Sequence, residues 1–212
     1  MPDILIAEDH SIVRIGTAML LRDSVPNAVI TDVETFDEVI QEVDRNHFDL
    51  LLLDIHIPGG DNFQMIEAVH LRRPGLRILV FSSYEEQLYA IRSLKSGAMG
   101  YIHKRSSPEE VVKAVKQVLK GEKYISEDVK SQLIGQLLST GPSQKDSLSS
   151  LSNRELEVMR LMLRGASTME IKNTLNIRDS TISTYKTKIF SKLQVSNLIE
   201  LSEKLRLMEG YG

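Results

Sequence analysis

The chain is predicted to fold as an α/β domain on a doubly wound, five-stranded parallel sheet, followed by an all-α tail of four helices. Five short apolar runs, at residues 4–7, 28–30, 50–53, 78–81 and 100–102, alternate with stretches of helical apolar spacing. The third run is four consecutive leucines. It is too short to span a bilayer and suits a strand covered by helices on both faces. From about residue 104 onward no strand-like run recurs, and apolar residues follow helical spacing on either side of a polar stretch at 140–147.

Composition narrows the class. At 212 residues the chain suits one large domain or two ordinary ones. With no cysteine it has no disulfide framework, thiolate metal site or thiol nucleophile. No basic region or long apolar segment precedes the first strand. The expectation is a cytoplasmic protein without a signal peptide or membrane span. The net charge of −3 is unevenly spread. Residues 1–147 carry 16 Lys+Arg against 22 Asp+Glu, while residues 148–212 carry 10 against 7. An acidic front and a mildly basic tail point to different partners.

The first strand runs into Glu8-Asp9-His10. Ile12, Val13, Ile15, Met19 and Leu20 then recur at helical spacing, with Ser11 available as a cap. A second helix covers residues 36–43, with Asp37, Glu38 and Glu42 outward. A third, 63–71, turns Met65, Ile66 and Val69 inward and stops at Pro74-Gly75. Helices at 85–96 and 108–119 close at Gly97 and Gly121. Strands alternating with helices imply right-handed crossovers, which place all the strands' carboxyl ends on one edge. Glu8-Asp9 follows the first strand, Asp54 the third, Ser82 the fourth and Lys104 the fifth. In an open α/β sheet that edge is where ligands collect.

Asp54 alone reads equally as a ligand group or as the start of the turn through Pro58-Gly59-Gly60. The company it keeps favours chemistry. Three clustered carboxylates repel and recruit a cation, and hard oxygen donors suit Mg²⁺. Beside such an ion Asp54 could attack a phosphoryl group to form an acyl phosphate. Lys104 would add positive charge, Ser82 would donate a hydrogen bond, and the small Ser83 would leave access.

These pieces resemble the receiver domain of two-component response regulators over about residues 1–122. They are the acids Glu8-Asp9, the Asp54-x-x-x-Pro58-Gly59 turn, Ser82-Ser83, and Gly97-Ala98-x-Gly100-Tyr101-x-x-Lys104. The resemblance implies a flavodoxin-like fold with Asp54 as phosphoacceptor. It makes Glu8, Asp9, Asp54 and the His56 main-chain carbonyl the Mg²⁺ ligands. Ser82, Ser83, Lys104 and Tyr101 become the phosphoryl-binding and switch residues, Tyr101 turning inward as Ser82 moves toward the phosphoryl group. Arg105 departs from receivers with proline there, so no cis peptide is expected. His10 and His56 are read as polar loop residues, not side-chain ligands. His56 and Tyr84, two places beyond Asp54 and Ser82, are positioned to influence phosphate lifetime.

Residues 123–147 read as a connector. Val129, Leu133, Ile134, Leu137 and Leu138 give it one amphipathic helix, and residues 140–147 form a polar Gly/Pro/Ser linker. In the tail, 148–212, Ser152 with Glu155 fits a capping box. Leu156, Met159, Leu161, Met162 and Leu163 supply that helix's buried side. A short helix follows at 168–175. A third, capped by Asp179 or Ser180, runs to about Leu193, and a fourth covers 196–207. Two short helices meeting at a tight turn, the second bearing hydroxyls and lysines, fit a helix-turn-helix. A protein-binding helical bundle is the other reading of the same spacing.

Leu151-Ser-x-Arg154-Glu155-x-Glu157-Val158, Glu170-Ile171, Thr181-Ile182-Ser-Thr184-Tyr185 and Ile189-x-x-Lys192-Leu193-x-Val195 look like a LuxR-type helix-turn-helix. The whole chain thus resembles a NarL/FixJ-type response regulator. The likeness makes 180–192 the recognition helix, with Ser180, Thr181, Ser183, Thr184, Lys186, Thr187, Lys188 and Lys192 as DNA contacts. It makes Leu198, Leu201 and Leu205 a dimer surface. Ser183 and Tyr185 stand where many relatives have Lys and His, and Asn173 replaces a usual Ala, which lowers the charge near the phosphates.

The implied function is a transcription regulator switched by a sensor histidine kinase, binding double-stranded DNA as a phosphorylated homodimer, with no membrane contact. It would be no enzyme beyond its own phosphotransfer and dephosphorylation. The other readings are a phosphate-independent regulator or adaptor, and a magnesium-dependent aspartyl phosphohydrolase. The last needs an acid two places after its nucleophile, where this chain has His56.

Overall fold

The protein is described by a computed structural model covering residues 1–60, 62–138, 148 and 150–208. The proposed linker at 140–147 lies outside the described residues. The chain divides into two compact units, Met1–Gly135 and Gln136–Gly212.

The first unit alternates β1 (Asp3–Ala7), α1 (Ser11–Ser24), β2 (Val29–Val33), α2 (Phe36–Arg45), β3 (Leu50–Leu53), α3 (Gln64–Arg72), β4 (Arg77–Ser82), α4 (Glu86–Lys95), β5 (Gly100–His103) and α5 (Pro108–Leu119). The strands lie in the order β2-β1-β3-β4-β5, all parallel. The four leucines of β3 are completely buried, which a central strand covered on both faces requires. Register does the rest: Ala7 pairs with Leu53, Leu53 with Val80, and Ser82 with His103. The residues that follow these strands therefore emerge side by side.

Capping chemistry holds several helices. Thr35 and Glu38 close a reciprocal box on α2, as do Ser107 and Glu110 on α5, whose first position is Pro108. Helix α1 behaves differently. Its N-cap is His10, with no side-chain hydrogen bond, and Ser11 is its first residue. Only part of the apolar set that marks it in sequence meets the core: Val13 and Leu20 pack against it, whereas Ile12, Ile15 and Met19 are 86%, 57% and 58% exposed. Ala18, Leu21, Thr17 and Arg14 face inward. A helix with apolar residues on two sides can satisfy only one of them within its own domain.

After α5 comes α6 (Glu127–Leu138), with Val129 buried and Ile134 exposed. The second unit contains α7 (Asn153–Leu163), α8 (Thr168–Leu175), α9 (Asp179–Leu193) and α10 (Leu198–Met208). The Ser152–Glu155 box forms, and Ser167–Glu170 makes a second one on α8. Helix α7 buries Leu156, Met159 and Met162 with Val158, whereas Leu161 and Leu163 are only half-buried. The N-cap of α9 is Arg178, so Asp179 and Ser180 lie in its first turn rather than capping it. Asn176 and Gln194, in left-handed conformation, terminate α8 and α9. Among the described residues no helix is long and apolar enough to cross a membrane.

Candidate functional site

The crevice at the carboxyl edge gathers the residues that follow four strands. Asp54, 4% exposed, accepts a hydrogen bond from Lys104 Nζ at 2.7 Å on one oxygen and from the His56 main-chain N–H at 3.0 Å on the other. Lys104 Nζ is also in ionic contact with Glu8 Oε2, so one ammonium bridges two buried carboxylates. Glu8 Oε2 and Asp9 Oδ1 are buried without a directed hydrogen bond. Ser82 is 1% exposed, and its hydroxyl has no hydrogen-bond partner among the described residues. An unsatisfied buried hydroxyl costs free energy, which a functional ligand would recover.

Electrostatics follow from this crowding. Burial, the largest effect, lifts the Asp54 carboxyl above its ordinary range, against the charge and hydrogen bond of Lys104. Burial alone would depress the Lys104 ammonium, but Asp54 and Glu8 outweigh it and hold it above its ordinary value. His10, passed over in the sequence as a loop residue, belongs to the cluster. Its Nδ1 lies 3.0 Å from Glu8 Oε1 and 2.8 Å from Asp9 Oδ1. The Glu8 hydrogen bond, then the Asp9 charge, raise its pKa. Glu8, Asp9, His10 and Asp54 offer ligand atoms within 4.8 Å of one another. The carboxylate oxygens of Glu8, Asp9 and Asp54 in this cluster make a hard-oxygen set that fits Mg²⁺.

Arg14 is a further residue whose role the sequence does not announce. It is 8% exposed and donates to the Glu8 main-chain carbonyl at 2.8 Å and to Asp32 Oδ2 at 3.0 Å, with Glu34 Oε1 in contact. The guanidinium thus pins the acidic loop to the end of β2, its fork matching separate acceptors.

Tyr101 lies inward in this structure. The ring is 1% exposed, and its hydroxyl donates to the Tyr84 carbonyl at 2.7 Å. Tyr84 stacks on Tyr89 at 4.8 Å and meets the edge of His56 at 4.0 Å. The segments after Asp54 and Ser82 are therefore in ring contact.

In the second unit α9 presents Ser180, Ser183, Thr184, Lys186, Thr187 and Lys188 to solvent, with Thr181 half-buried. Ile182, Ile189 and Leu193 face the core. The hydroxyls of Thr184 and Thr187 donate to the carbonyls one turn back, Ser180 and Ser183. Lys192 is committed within the unit: Nζ lies 2.6 Å from Glu155 Oε2 and 3.0 Å from the Ser150 carbonyl. On α10, Leu201 is fully buried and cannot lie on an outer surface as the sequence reading had it. Leu198 and Ile199 are exposed, and Leu205 is half-buried.

A parallel α/β unit with an acid-lysine pocket at its carboxyl edge, joined to a helix-turn-helix, defines a two-domain signalling regulator. Residues 4–116 match the response regulator receiver domain, and residues 149–204 match the bacterial regulatory proteins of the luxR family. The oxygen regulatory protein NreC of Staphylococcus epidermidis is 31% identical over 97% of this chain and 99% of its own. RcsB from Salmonella enterica serovar Typhimurium, solved on promoter P1flhDC in the presence of phosphomimetic BeF3−, is 27% identical. It covers 96% of this chain and 98% of its own, with a TM-score of 0.68. RcsB has also been solved as two dimers bound to two parallel DNAs, at 27% identity, covering 96% of this chain and 97% of its own, with a TM-score of 0.60. The chain belongs to the response regulators of the NarL/FixJ type, transcription regulators that join a receiver to a LuxR-type DNA-binding domain.

Proposed function

We propose that phosphoryl transfer to Asp54 controls dimerisation of this regulator and DNA binding by its tail. The observation that carries this is the pairing of Lys104 with both Asp54 and Glu8, beside a buried Ser82 hydroxyl that has no hydrogen-bond partner among the described residues. The pocket is built for one more anionic group.

An Asp54 carboxylate oxygen attacks phosphorus in line with the donor's P–N or P–O bond. That bond breaks as the acyl phosphate forms, and the leaving group keeps the electron pair. The donor is a sensor histidine kinase or a small phosphodonor. Glu8, Asp9, Asp54 and the His56 carbonyl would hold Mg²⁺, which supplies charge neutralisation on the phosphoryl oxygens. Lys104 leaves its Asp54 contact for a phosphoryl oxygen, and Ser82 donates to another. Chemistry beyond the protein's own phosphorylation and dephosphorylation forms no part of the function.

For DNA, Lys186 and Lys188 reach phosphates, while Ser180, Thr181 and Ser183 approach base edges. Thr184 and Thr187, their hydroxyls turned back on the helix, offer methyl groups suited to thymine. Lys192 anchors α9 on α7 rather than contacting DNA. The dimer surface of α10 is Leu198 with Ile199. The NreC and RcsB likenesses support this regulatory role, and we infer that the protein works in the cytoplasm beside its DNA.

Gel-shift binding to genomic fragments, with and without acetyl phosphate and Mg²⁺, tests the switch on wild type and Asp54→Ala. Phosphodonor-dependent binding lost in Asp54→Ala is expected. Equal binding in all conditions leaves a regulator without the switch, and no binding in any favours an adaptor.

A further inference from the structure

We propose that His103 is a positioning residue that straps the Ser82-Ser83 segment to the Lys104 loop and so holds the two phosphoryl-contacting groups in register. The inference rests on the phosphoacceptor reading of Asp54 and adds the device that keeps its pocket in shape.

His103 ends β5 directly opposite Ser82 on β4. Its ring makes two contacts of opposite sense. Nδ1 lies 2.9 Å from the Arg105 main-chain nitrogen, which can only donate, so Nδ1 is the acceptor. In the neutral ring the proton is therefore on Nε2, which donates to the Ser83 carbonyl at 3.2 Å. Backbone contacts run alongside: Lys104 N–H donates to the Ser82 carbonyl at 2.8 Å, and Ser106 N–H to the His103 carbonyl at 2.9 Å. One imidazole thus spans both post-strand segments, reaching Ser83, one residue from Ser82, on one side and Arg105, one residue from Lys104, on the other.

The pair His103/Arg105 forms a unit. A proline after Lys104 would have no N–H to satisfy. Arg105 has one, and the His103 ring takes it up, fixing the tautomer that can reach Ser83. Ser82 itself needs outside positioning because its hydroxyl has no partner among the described residues to hold it. His103 is half-buried at the strand end, so substitution does not empty the core.

Two substitutions separate the contacts. In His103→Asn the amide oxygen replaces Nδ1 and keeps the Arg105 N–H, but nothing reaches Ser83. In His103→Gln the longer amide places an N–H where Nε2 stood and keeps the strap. Fluoroberyllate binding to the full chain with Mg²⁺, followed by ¹⁹F NMR, reads the phosphoryl pocket. Mn²⁺ binding by EPR reads the carboxylates, and thermal melting reads the fold.

His103→Asn should weaken fluoroberyllate binding about five- to tenfold, as loss of one hydrogen bond implies. Its Mn²⁺ affinity and melting temperature should match wild type, and His103→Gln should stay within about twofold of it. Wild-type fluoroberyllate affinity in His103→Asn overturns the strap. So does a parallel fall in Mn²⁺ affinity and melting temperature, which marks a general structural role. Failure of wild type itself to take up fluoroberyllate sinks the Asp54 reading and this inference with it.

Discussion

Ser82 gives the sharpest case at the scale of single residues. A buried hydroxyl without a partner is a liability to the fold and an asset to a ligand. Ser82→Ala should leave stability unchanged or raise it by about 1 kcal/mol in chemical denaturation, while slowing acetyl-phosphate phosphorylation about tenfold. A loss of stability with unchanged phosphorylation would assign the hydroxyl to structure. Glu8, Asp9, Asp54, Ser82 and Lys104 were legible in the sequence because each interrupts or follows an apolar run at a strand end, where charge has no packing reason to be. His10, Arg14 and His103 were not. Their contacts depend on how loops fold back: Arg14 reaches Glu8 through three-dimensional proximity, and His103 meets Ser83 only because β4 and β5 are neighbours.

Helical periodicity declares a helix without saying which side it buries. For α3 the inward residues were those expected. For α1 they were so only in part, because Ala18 and Leu21 compete with Ile12, Ile15 and Met19 for the sheet, and the smaller set lies against it. Ile15→Ser should therefore change stability by less than about 0.5 kcal/mol. Leu201→Ala on α10 should cost about 2–5 kcal/mol, since that leucine is spent on the unit's core. Similar losses from both, in urea unfolding, would contradict the assigned faces.

The junction of α7 and α9 also has a pH signature. Burial raises the Glu155 carboxyl, but Lys192 and the Ser152 N–H outweigh it and hold it below its ordinary value. A depressed folded pKa supplies stability that is complete above the ordinary glutamate value of about 4.3 and is lost as pH falls through the folded one. The acid limb of the melting profile should be shallower in Glu155→Gln than in wild type. Identical limbs would show that the Glu155–Lys192 pair contributes nothing to it.

Across the whole molecule, topology is what turns scattered residues into a pocket. The order β2-β1-β3-β4-β5 makes neighbours of the strands that deliver Glu8, Asp54, Ser82 and Lys104, although those residues are far apart in the chain. Alternating strands and helices made this sheet readable, and apolar spacing with the Ser152–Glu155 box made the tail's helices readable. How each lysine is engaged was not: Lys188 is exposed on α9, Lys186 lies over the Phe190 ring at 5.6 Å, and Lys192 is tied to Glu155. The most direct measurement is intact-mass and peptide mapping of the full chain after incubation with acetyl phosphate and Mg²⁺. A single added phosphoryl group on Asp54, removed by neutral hydroxylamine and absent from Asp54→Ala, is the expected result. A protein that gains no phosphoryl group, or gains it elsewhere and equally in Asp54→Ala, would contradict the account.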